Sequence, residues 1–283
     1  MNNTYKIVID SSGELPEELK KDGHFSNVPL SIDIDGETFI DDENFDQLDF
    51  LSKVKRSIHG PKSACPSPDS YMRACEGEAQ NIYIITLSGE LSGSYNSAVL
   101  GGELYNEEHI DNPKNIHVFN SKSASIGETL IGLKVQEFEE AGCTFEEVVE
   151  NVEKHINSMH TFFVLDTLET FVKTGRISSL KAGIVSTLNI KPIMASTEEG
   201  AIYNAGQGRG SKGAIGKMIE KVISATSDQE DKTIAISHWN CPERADFAKK
   251  KLEALGNFKD IIVVNMSGLS SMYANQGGVI VAV

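Results

Sequence analysis

The sequence lacks the features that mark several protein classes. No apolar run approaches the roughly 18 residues that a membrane-spanning helix needs, and the segment MNNTYKIVID has no basic stretch ahead of a long apolar one, as a secretory signal would. The four cysteines show neither metal-site spacing nor a dense disulfide pattern. We therefore expect a protein of the reducing cytoplasm, without a metal ion and without stable membrane insertion.

Positive charge and aromatic residues are also scarce. The 283 residues hold 26 Lys and Arg against 41 Asp and Glu, a net charge of −15, and only 7% are aromatic. A chain this acidic is a poor generic binder of nucleic acid. The imbalance lies in residues 1–160, with net charge −17, whereas residues 161–283 have net charge +2. This contrast suggests two domains and makes the second half the side that can meet an anion.

Common catalytic signatures are missing. The glycine-rich stretch 206–212 does not have the spacing of a Walker A loop, and Ser92 lies in Glu-Leu-Ser-Gly-Ser rather than in a Gly-x-Ser-x-Gly elbow. The seven histidines form no zinc-type cluster. His238 is expected at a strand end, where a lone histidine is more often structural than catalytic.

The first half of the chain alternates between strand and helix patterns. β-rich runs occupy 5–10, 81–86 and 116–119, and the second is nearly continuous in apolar residues, as in a strand covered on both faces. Helical spacing follows over 126–141 and stops at Gly142. We predict an α/β domain over residues 1–160, built on a doubly wound, mostly parallel sheet.

The second half mixes hairpin-like and crossover connections. We predict a smaller α+β domain over residues 161–283, with the alternative that its last strand returns to the first domain. The predicted strands are 161–165, 190–195, 201–205, 233–237, 261–264 and 278–283, and the predicted helices are 212–224 and 242–255.

Serine-rich loops follow three strands of the predicted parallel sheet, at the edge where open α/β sheets bind ligands. In the loop 88–94, Ser92 or Ser94 can cap a helix that begins near Tyr95, and Gly93 allows close backbone approach. Free N–H groups at that helix start can bind a carboxylate or phosphate. Spacing alone favours a plain helix cap over an anion site.

A proline-punctuated segment, 62–68, reads as an irregular loop rather than a strand. We expect Ser67 as the N-cap of a helix and Pro68 at its first position. Cys65 in this loop is expected to be a passive thiol, because no histidine partner is indicated.

Taken together, these stretches resemble the DegV family of bacterial fatty-acid-binding proteins. The resemblance spans almost the whole chain and rests on the order and spacing of its motifs rather than on any one of them. The matching segments are 8–12 (VIDSS), 28–30 (VPL), 63–67 (SACPS), 88–98 (SGELSGSYNSA), 121–125 (SKSAS), 165–168 (LDTL), 174–178 (TGRIS) and 188–193 (LNIKPI).

This resemblance implies a two-domain α/β fold that holds one long-chain fatty acid in an interdomain tunnel. Family members present the acid to a separate ATP-dependent fatty acid kinase, related to dihydroxyacetone kinases, which makes an acyl phosphate for phospholipid synthesis. The resemblance therefore implies a carrier without catalytic activity of its own and without a cofactor, since the fatty acid is the ligand.

The family's head-group positions fall on Ser63, where threonine is usual, and on Ser92, with Gly93 and Ser94 adding donors. Tyr273 takes the place of a histidine that is common in the family, so one hydrogen-bond donor is kept but a group that can be cationic near neutral pH is lost. The segment 63–67 is also less polar than the usual Thr-Ser-Gln-Pro-Ser.

The family's kinase-facing basic positions fall near Lys173, Arg176 and Arg209. Arg176 is a candidate phosphate clamp, because a guanidinium binds phosphate bidentately, and the alternative is a salt bridge with one of the many carboxylates. Arg209, in its glycine-rich turn, has the stronger case for a partner or phosphate contact.

Two other functions stay open from the sequence. An acyl hydrolase would use Ser92 as nucleophile and His238 as base, with the helix start as oxyanion hole. A degenerate, lipid-sensing paralogue would explain the tyrosine at position 273.

Overall fold

The computed structural model describes residues 5–57, 60–177, 189–266 and 268–283. Ser178 and Leu188, which belong to two of the quoted motifs, lie outside these ranges. The strands are β1 Tyr5–Asp10, β2 Phe25–Val28, β3 Ser31–Ile34, β4 Glu37–Ile40, β5 Lys62–Ala64, β6 Asn81–Thr86, β7 Asn115–Asn120, β8 Thr161–Val164, β9 Ile190–Ser196, β10 Ile202–Arg209, β11 Thr233–His238, β12 Asp260–Asn265 and β13 Val279–Ala282. The α-helices are α1 Glu17–Lys21, α2 Gln47–Arg56, α3 Pro68–Ala74, α4 Ser94–Glu108, α5 Ile126–Glu140, α6 Phe145–Ser158, α7 Glu169–Thr174, α8 Gly210–Ala225, α9 Pro242–Leu255 and α10 Gly268–Ala274.

The first sheet is parallel throughout, in the order β2-β1-β6-β7. Successive side chains of its strands lie on opposite faces of the sheet, and both faces are buried because helices cover them. Ile7 and Ile9 of β1 pack with α5 and α6, whereas Val8 packs with α3 and α4. The prediction of a doubly wound parallel sheet is confirmed.

The second sheet is mixed, in the order β10-β9-β8-β13-β11-β12, with only β11 and β12 parallel. Helices α8 and α9 cover one face with aliphatic side chains. The last strand, β13, pairs with β8 and β11, so the alternative that it returns to the first sheet is wrong. With six strands this sheet is also wider than the first. A domain boundary near residue 160 stays a prediction.

A third, antiparallel sheet, in the order β4-β3-β5, was not predicted. Asp35 and Gly36 connect β3 to β4 with positive φ angles of 53° and 89°, the geometry of a type I′ hairpin turn. The expectation that 62–68 is an irregular loop is wrong at its start, because residues 62–64 form β5. Only three residues pair there, too few for an alternating pattern to show.

Helix α5 lies between the two large sheets. Ile131 and Val135 contact the first sheet, and Ile126 and Leu130 contact Ala235 and other residues of the second. Every residue from 126 to 132 is buried. Because this part of α5 is buried on all sides, its polar residues Glu128 and Thr129 are buried as well.

Candidate functional site

A cavity of about 290 Å³ lies where the loops at the carboxyl edge of the first sheet meet one face of the second sheet. Phe163 of β8 and Ile280 of β13, paired across the sheet, line it from the second half. Ser12, Leu87 and Ala124, which follow β1, β6 and β7, line it from the first half. Ligand sites in proteins have volumes of about 300–1,000 Å³, so the volume of this cavity lies at the lower end of that range.

Most of the cavity wall is apolar. The wall carries aliphatic and aromatic side chains from α7, from α10, from the second sheet and from loops that follow strands of the first sheet, together with serine and threonine hydroxyl groups. The apolar residues include Leu30, Leu91, Phe163, Leu165, Phe171 and Leu269.

Ser63 and Ser92 both line the cavity, so the structure brings the two predicted head-group loops together. Ser63 lies in β5, and Ser92 precedes α4. The loops touch at Gly93, where a Cβ atom would lie 3.3 Å from the Sγ atom of Cys65. Cys65 is exposed, and it is a free thiol, as are the other cysteines.

The start of α4 differs from the expected serine cap. Gly93 is the N-cap residue, so the cap position itself has no side chain that could accept a hydrogen bond. Ser94 is fully buried and does not line the cavity, whereas Ser92 and Gly93 do. The Ser92 Oγ atom lies 3.0 Å from Ser94 Oγ and accepts from the Ser94 N–H group at 3.2 Å. Ser94 is thus placed behind Ser92.

Tyr273 and Arg176 also line the cavity. The Tyr273 ring packs against Phe171, with 4.6 Å between ring centroids. The Arg176 guanidinium donates to the carbonyls of Thr174 at 2.8 Å and Leu91 at 3.5 Å. Within the described ranges no carboxylate pairs with it, so the salt-bridge alternative for Arg176 is not observed there.

The other two predicted basic residues lie away from the cavity wall. Lys173 is exposed and forms a 2.7 Å ion pair with Glu169. Arg209 is exposed at the end of β10.

A cluster of four buried carboxyl groups, which sequence reasoning missed, lies behind the serines of the first half. We call Asp10, Glu14, Asp41 and Glu128 the carboxyl cluster; each is at most 5% exposed. Its serine contacts are Ser12 Oγ to Glu128, Ser125 Oγ to Glu14 at 2.7 Å, and Ser11 Oγ to Asp41 at 2.9 Å.

Burial controls the ionisation of the carboxyl cluster. It raises the pKa of Glu14 to about 7 and that of Asp41 to about 6, against hydrogen bonds that favour the charged forms. Burial and the nearby Asp10 charge raise the pKa of Glu128 well above its usual value. Burial also raises the pKa of Asp10. Part of this cluster therefore carries protons near neutral pH.

Neither a metal centre nor a serine–histidine pair is present in the part of the chain that the structure describes. No group of histidine, cysteine and acidic side chains there is arranged to hold a metal ion. No histidine there lines the cavity. His238 ends β11, and its Nδ1 atom accepts from the Cys241 N–H group at 3.4 Å.

No helix within the described ranges is long and apolar enough to cross a bilayer.

Comparison with known proteins gives consistent matches over the whole chain. The model of the DegV family of uncharacterised proteins matches residues 4–283. A DegV domain-containing protein of Streptococcus gordonii is 34% identical over 283 residues, covering 98% of both chains.

Two solved structures are similar in both fold and sequence. A DegV-family protein of Ruminococcus gnavus, refined with vaccenic acid, is 48% identical with a TM-score of 0.95 and covers 99% of each chain. The fatty acid kinase (Fak) B3 protein of Streptococcus pneumoniae, loaded with linoleic acid, is 33% identical with a TM-score of 0.87 over 99% of this chain and 98% of that one.

Proposed function

The chain belongs to the DegV family, and on that premise we propose that it binds a long-chain fatty acid in the cavity between its two large sheets. The observation that carries the proposal is the cavity itself, which joins apolar walls to a polar end at Ser63 and Ser92. The two solved relatives described above hold vaccenic and linoleic acid. No cofactor is part of the proposal.

The carboxylate of the acid would lie at the polar end. Hydroxyl donors there come from Ser63, Ser92 and Tyr273. Gly93 has no side chain, so the ligand can come close to the backbone at that position, and Arg176 supplies positive charge. A buried carboxylate without partners costs several kcal/mol. Hydrogen bonds at this end are therefore required for binding, while the acyl chain lies along the apolar wall.

We further propose that the protein presents this carboxylate to a separate, ATP-dependent fatty acid kinase, which forms an acyl phosphate. The name of the pneumococcal relative, a fatty acid kinase B3 protein, supports this step. Lys173 and Arg209 are exposed and can contact the kinase, and Arg176 at the cavity wall can hold a phosphate through two parallel hydrogen bonds.

The acyl hydrolase alternative has less support. A serine nucleophile needs a base within hydrogen-bond reach, and the hydroxyl contact observed for Ser92 is with Ser94. His238 contacts Cys241 instead.

The test is organic extraction of the purified protein followed by mass spectrometry. We expect about one long-chain fatty acid per chain, and phosphorylation of that acid when ATP and a kinase of the dihydroxyacetone-kinase type are added. Absence of any bound acid, together with no binding of added acid, would contradict the proposal. Bound acid without acyl phosphate would favour the lipid-sensing paralogue, and ester hydrolysis lost in Ser92→Ala would favour the hydrolase.

A further inference from the structure

Besides the head-group serines, the cavity wall contains a second group of serines. Ser12 follows β1, Ser125 is the N-cap residue of α5 and Ser270 lies on α10; all three are buried and line the cavity. The Ser270 hydroxyl donates to the carbonyl of Ser12 at 2.8 Å. Glu128 contacts the Ser12 hydroxyl with its side chain and the Ser125 carbonyl with its N–H group, at 3.1 Å. We call Ser12 and Ser125, which both contact Glu128, the serine pair.

The known hydrogen bonds of the serine pair lie behind the cavity wall. Ser12 Oγ contacts Oε1 of Glu128, and Ser125 Oγ lies 2.7 Å from Oε2 of Glu14 and 2.8 Å from Oγ of Ser237. None of these three partners lines the cavity. A hydroxyl can form about three hydrogen bonds, one as donor and two as acceptor. Both serines therefore keep hydrogen-bonding capacity that a ligand in the cavity can use.

The wall beside the serine pair is apolar. Ile280 of β13 is paired with Ser237, the partner of Ser125, and Phe163 of β8 is paired with Ile280. Both Ile280 and Phe163 line the cavity, as does Ala124. A hydroxyl buried against such a wall loses its hydrogen bonds to water without replacing them, which weakens binding. The position of a polar group on an acyl chain therefore decides whether it helps or hinders binding.

The carboxyl groups behind the serine pair determine which charge fits there. Glu14 Oε1 and Glu128 Oε2 are buried without a hydrogen-bond partner in the described part of the chain, and neither side chain forms an ion pair there. A ligand carboxylate at the serine pair would be buried near these groups with no cation to balance it. The head-group end differs, because Arg176 contacts the carbonyl of Leu91, next to Ser92. The serine pair therefore suits an uncharged group.

A hydroxyl group fits the serine pair in both protonation states of the carboxyl groups. When Glu128 is ionised, Ser12 donates to it and offers lone pairs to a ligand. When Glu128 is protonated, the proton lies on Oε1, the oxygen that has a partner, so Glu128 donates and the Ser12 hydrogen becomes free for a ligand. The same holds for Ser125 and Glu14. A hydroxyl can donate or accept, whereas a keto oxygen can only accept.

We propose that the serine pair is a second polar subsite of the cavity and that it binds a hydroxyl group carried by the acyl chain, so that hydroxylated fatty acids are preferred ligands of this protein. This inference rests on the proposed function, because the carboxylate at Ser92 is what places the acyl chain in the cavity. Binding at the subsite makes and breaks no covalent bond.

A purely structural role for the same serines gives the opposite prediction. The Ser125–Ser237 and Ser270–Ser12 contacts join the first half of the chain to the second, and the fold uses them with any ligand. If the serines did nothing else, a hydroxyl at every position of the chain would weaken binding. The sign of the change in affinity therefore distinguishes the two roles.

The experiment is displacement of a fluorescent fatty acid from the delipidated protein by stearic acid and by a series of monohydroxystearic acids, in which the hydroxyl moves along the chain. For the position that reaches the serine pair, we expect binding up to about tenfold tighter than that of stearic acid, because one hydrogen bond is gained. Hydroxyls at other positions should weaken binding by about tenfold.

Variants connect the preferred position to the serine pair. In Ser12→Ala and in Ser125→Ala we expect the advantage of that hydroxy acid to disappear, while the affinity for stearic acid stays within about twofold of the wild type. Ser121→Ala is the matched control, because Ser121 is buried too but does not line the cavity, and its hydroxyl contacts the backbone of Ser123. This control should keep the preference of the wild type.

Weaker binding of every hydroxy acid than of stearic acid would overturn the inference and leave fatty acid binding intact. A preferred position that persists in both Ser12→Ala and Ser125→Ala would also overturn it. If neither stearic acid nor any hydroxy acid bound, the proposed function would fail and the subsite with it. The series of hydroxy acids needs no variant, so it decides the question even if a variant does not fold.

Discussion

The two halves of the molecule give different partners to acidic groups that are buried or half-buried. In the first half, the carboxyl cluster has serine hydroxyls and backbone N–H groups as partners and raised pKa values. In the second half, Asp166 contacts Arg244 at 3.0 Å, Lys191 at 3.3 Å and Ser211 at 2.9 Å. Burial would raise the pKa of Asp166, but these partners outweigh burial and lower it.

This difference shows that the partners of an acidic residue, together with its burial, set the direction in which its pKa moves. Asp166 forms structural ion pairs with Arg244 and Lys191, and it stabilises the folded chain when it is charged. The carboxyl cluster has no such compensation, so it stores protons near neutral pH at a cost in stability. Ser12 and Ser125, which line the cavity, contact Glu128 and Glu14 of the cluster, and perturbed pKa values of this kind concentrate at functional sites.

The largest expected effect is a loss of stability as the pH rises. The pKa of Glu14 is raised from 4.5 to about 7, so the folded state binds the proton more tightly than the unfolded chain. The resulting stabilisation is complete below about pH 4.5 and lost by about pH 7. Glu14 alone corresponds to about 3 kcal/mol, and Asp41 acts in the same direction.

Urea denaturation near pH 5 and near pH 8 measures this loss. Repeating it in high salt separates the buried groups from repulsion among surface charges, because salt screens only the latter strongly. The loss should be smaller in Glu14→Gln. A stability that rises from pH 5 to pH 8 would contradict the account of the carboxyl cluster.

Amide substitutions in the two regions should change the free energy of unfolding in opposite directions near pH 8. Glu128→Gln imitates the protonated side chain and removes the ionisation that favours the unfolded chain, so we expect the free energy of unfolding to rise. Asp166→Asn leaves Arg244 and Lys191 with a neutral partner, so we expect destabilisation by about 1 kcal/mol, limited by its partial exposure. If chemical denaturation showed that both variants are stabilised, or that both are destabilised, the proposed difference between the two regions would be wrong.

Ser92→Ala removes a hydroxyl group from the proposed head-group end of the cavity. We expect about tenfold weaker binding of fatty acid, because one hydrogen bond to a charged group is lost, while the free energy of unfolding changes little. Displacement of a fluorescent fatty acid measures the affinity, with Ser121→Ala as control. Unchanged retention of lipid would remove Ser92 from the head-group site.

The smallest effect is expected when a titratable cation is added to the cavity. Such a cation would face a ligand carboxylate as Arg244 and Lys191 face Asp166. Tyr273→His should bind fatty acid up to about fivefold more tightly near pH 5.5 than wild type does, and the gain should vanish near pH 8. Tyr273→Phe is the control, since it loses the hydroxyl without gaining a charge. A gain that is equal at both pH values would rule out a charge effect.

Much of the fold could be predicted because its signals are local. The apolar run 81–86 is a strand buried on both faces, and Gly142 ends the pattern of α5 with a φ of 79°. The three-stranded sheet was missed although Asp35-Gly36 is a strong hairpin signal. The strand β5 could not be predicted, because its three residues are defined only by pairing with β3.

The site was predictable only in its outline. Serines at the carboxyl ends of parallel strands indicated the edge of the sheet at which the cavity lies, and Ser63, Ser92 and Tyr273 line that cavity. The position of Ser94 depends on Gly93 being the N-cap. Glu128 is buried because α5 is covered by two sheets, which is a property of the tertiary structure that no local pattern contains.

The position of β13 has a consequence for how the chain acquires its structure during synthesis. All four strands of the first sheet lie within residues 5–120, so this sheet can assemble while the ribosome is still translating the second half. The six-stranded sheet cannot close until β13 arrives, because β13 separates β8 from β11. The cavity wall formed by Phe163 and Ile280 is therefore completed after the first sheet, and a chain that still lacks β13 has no complete cavity.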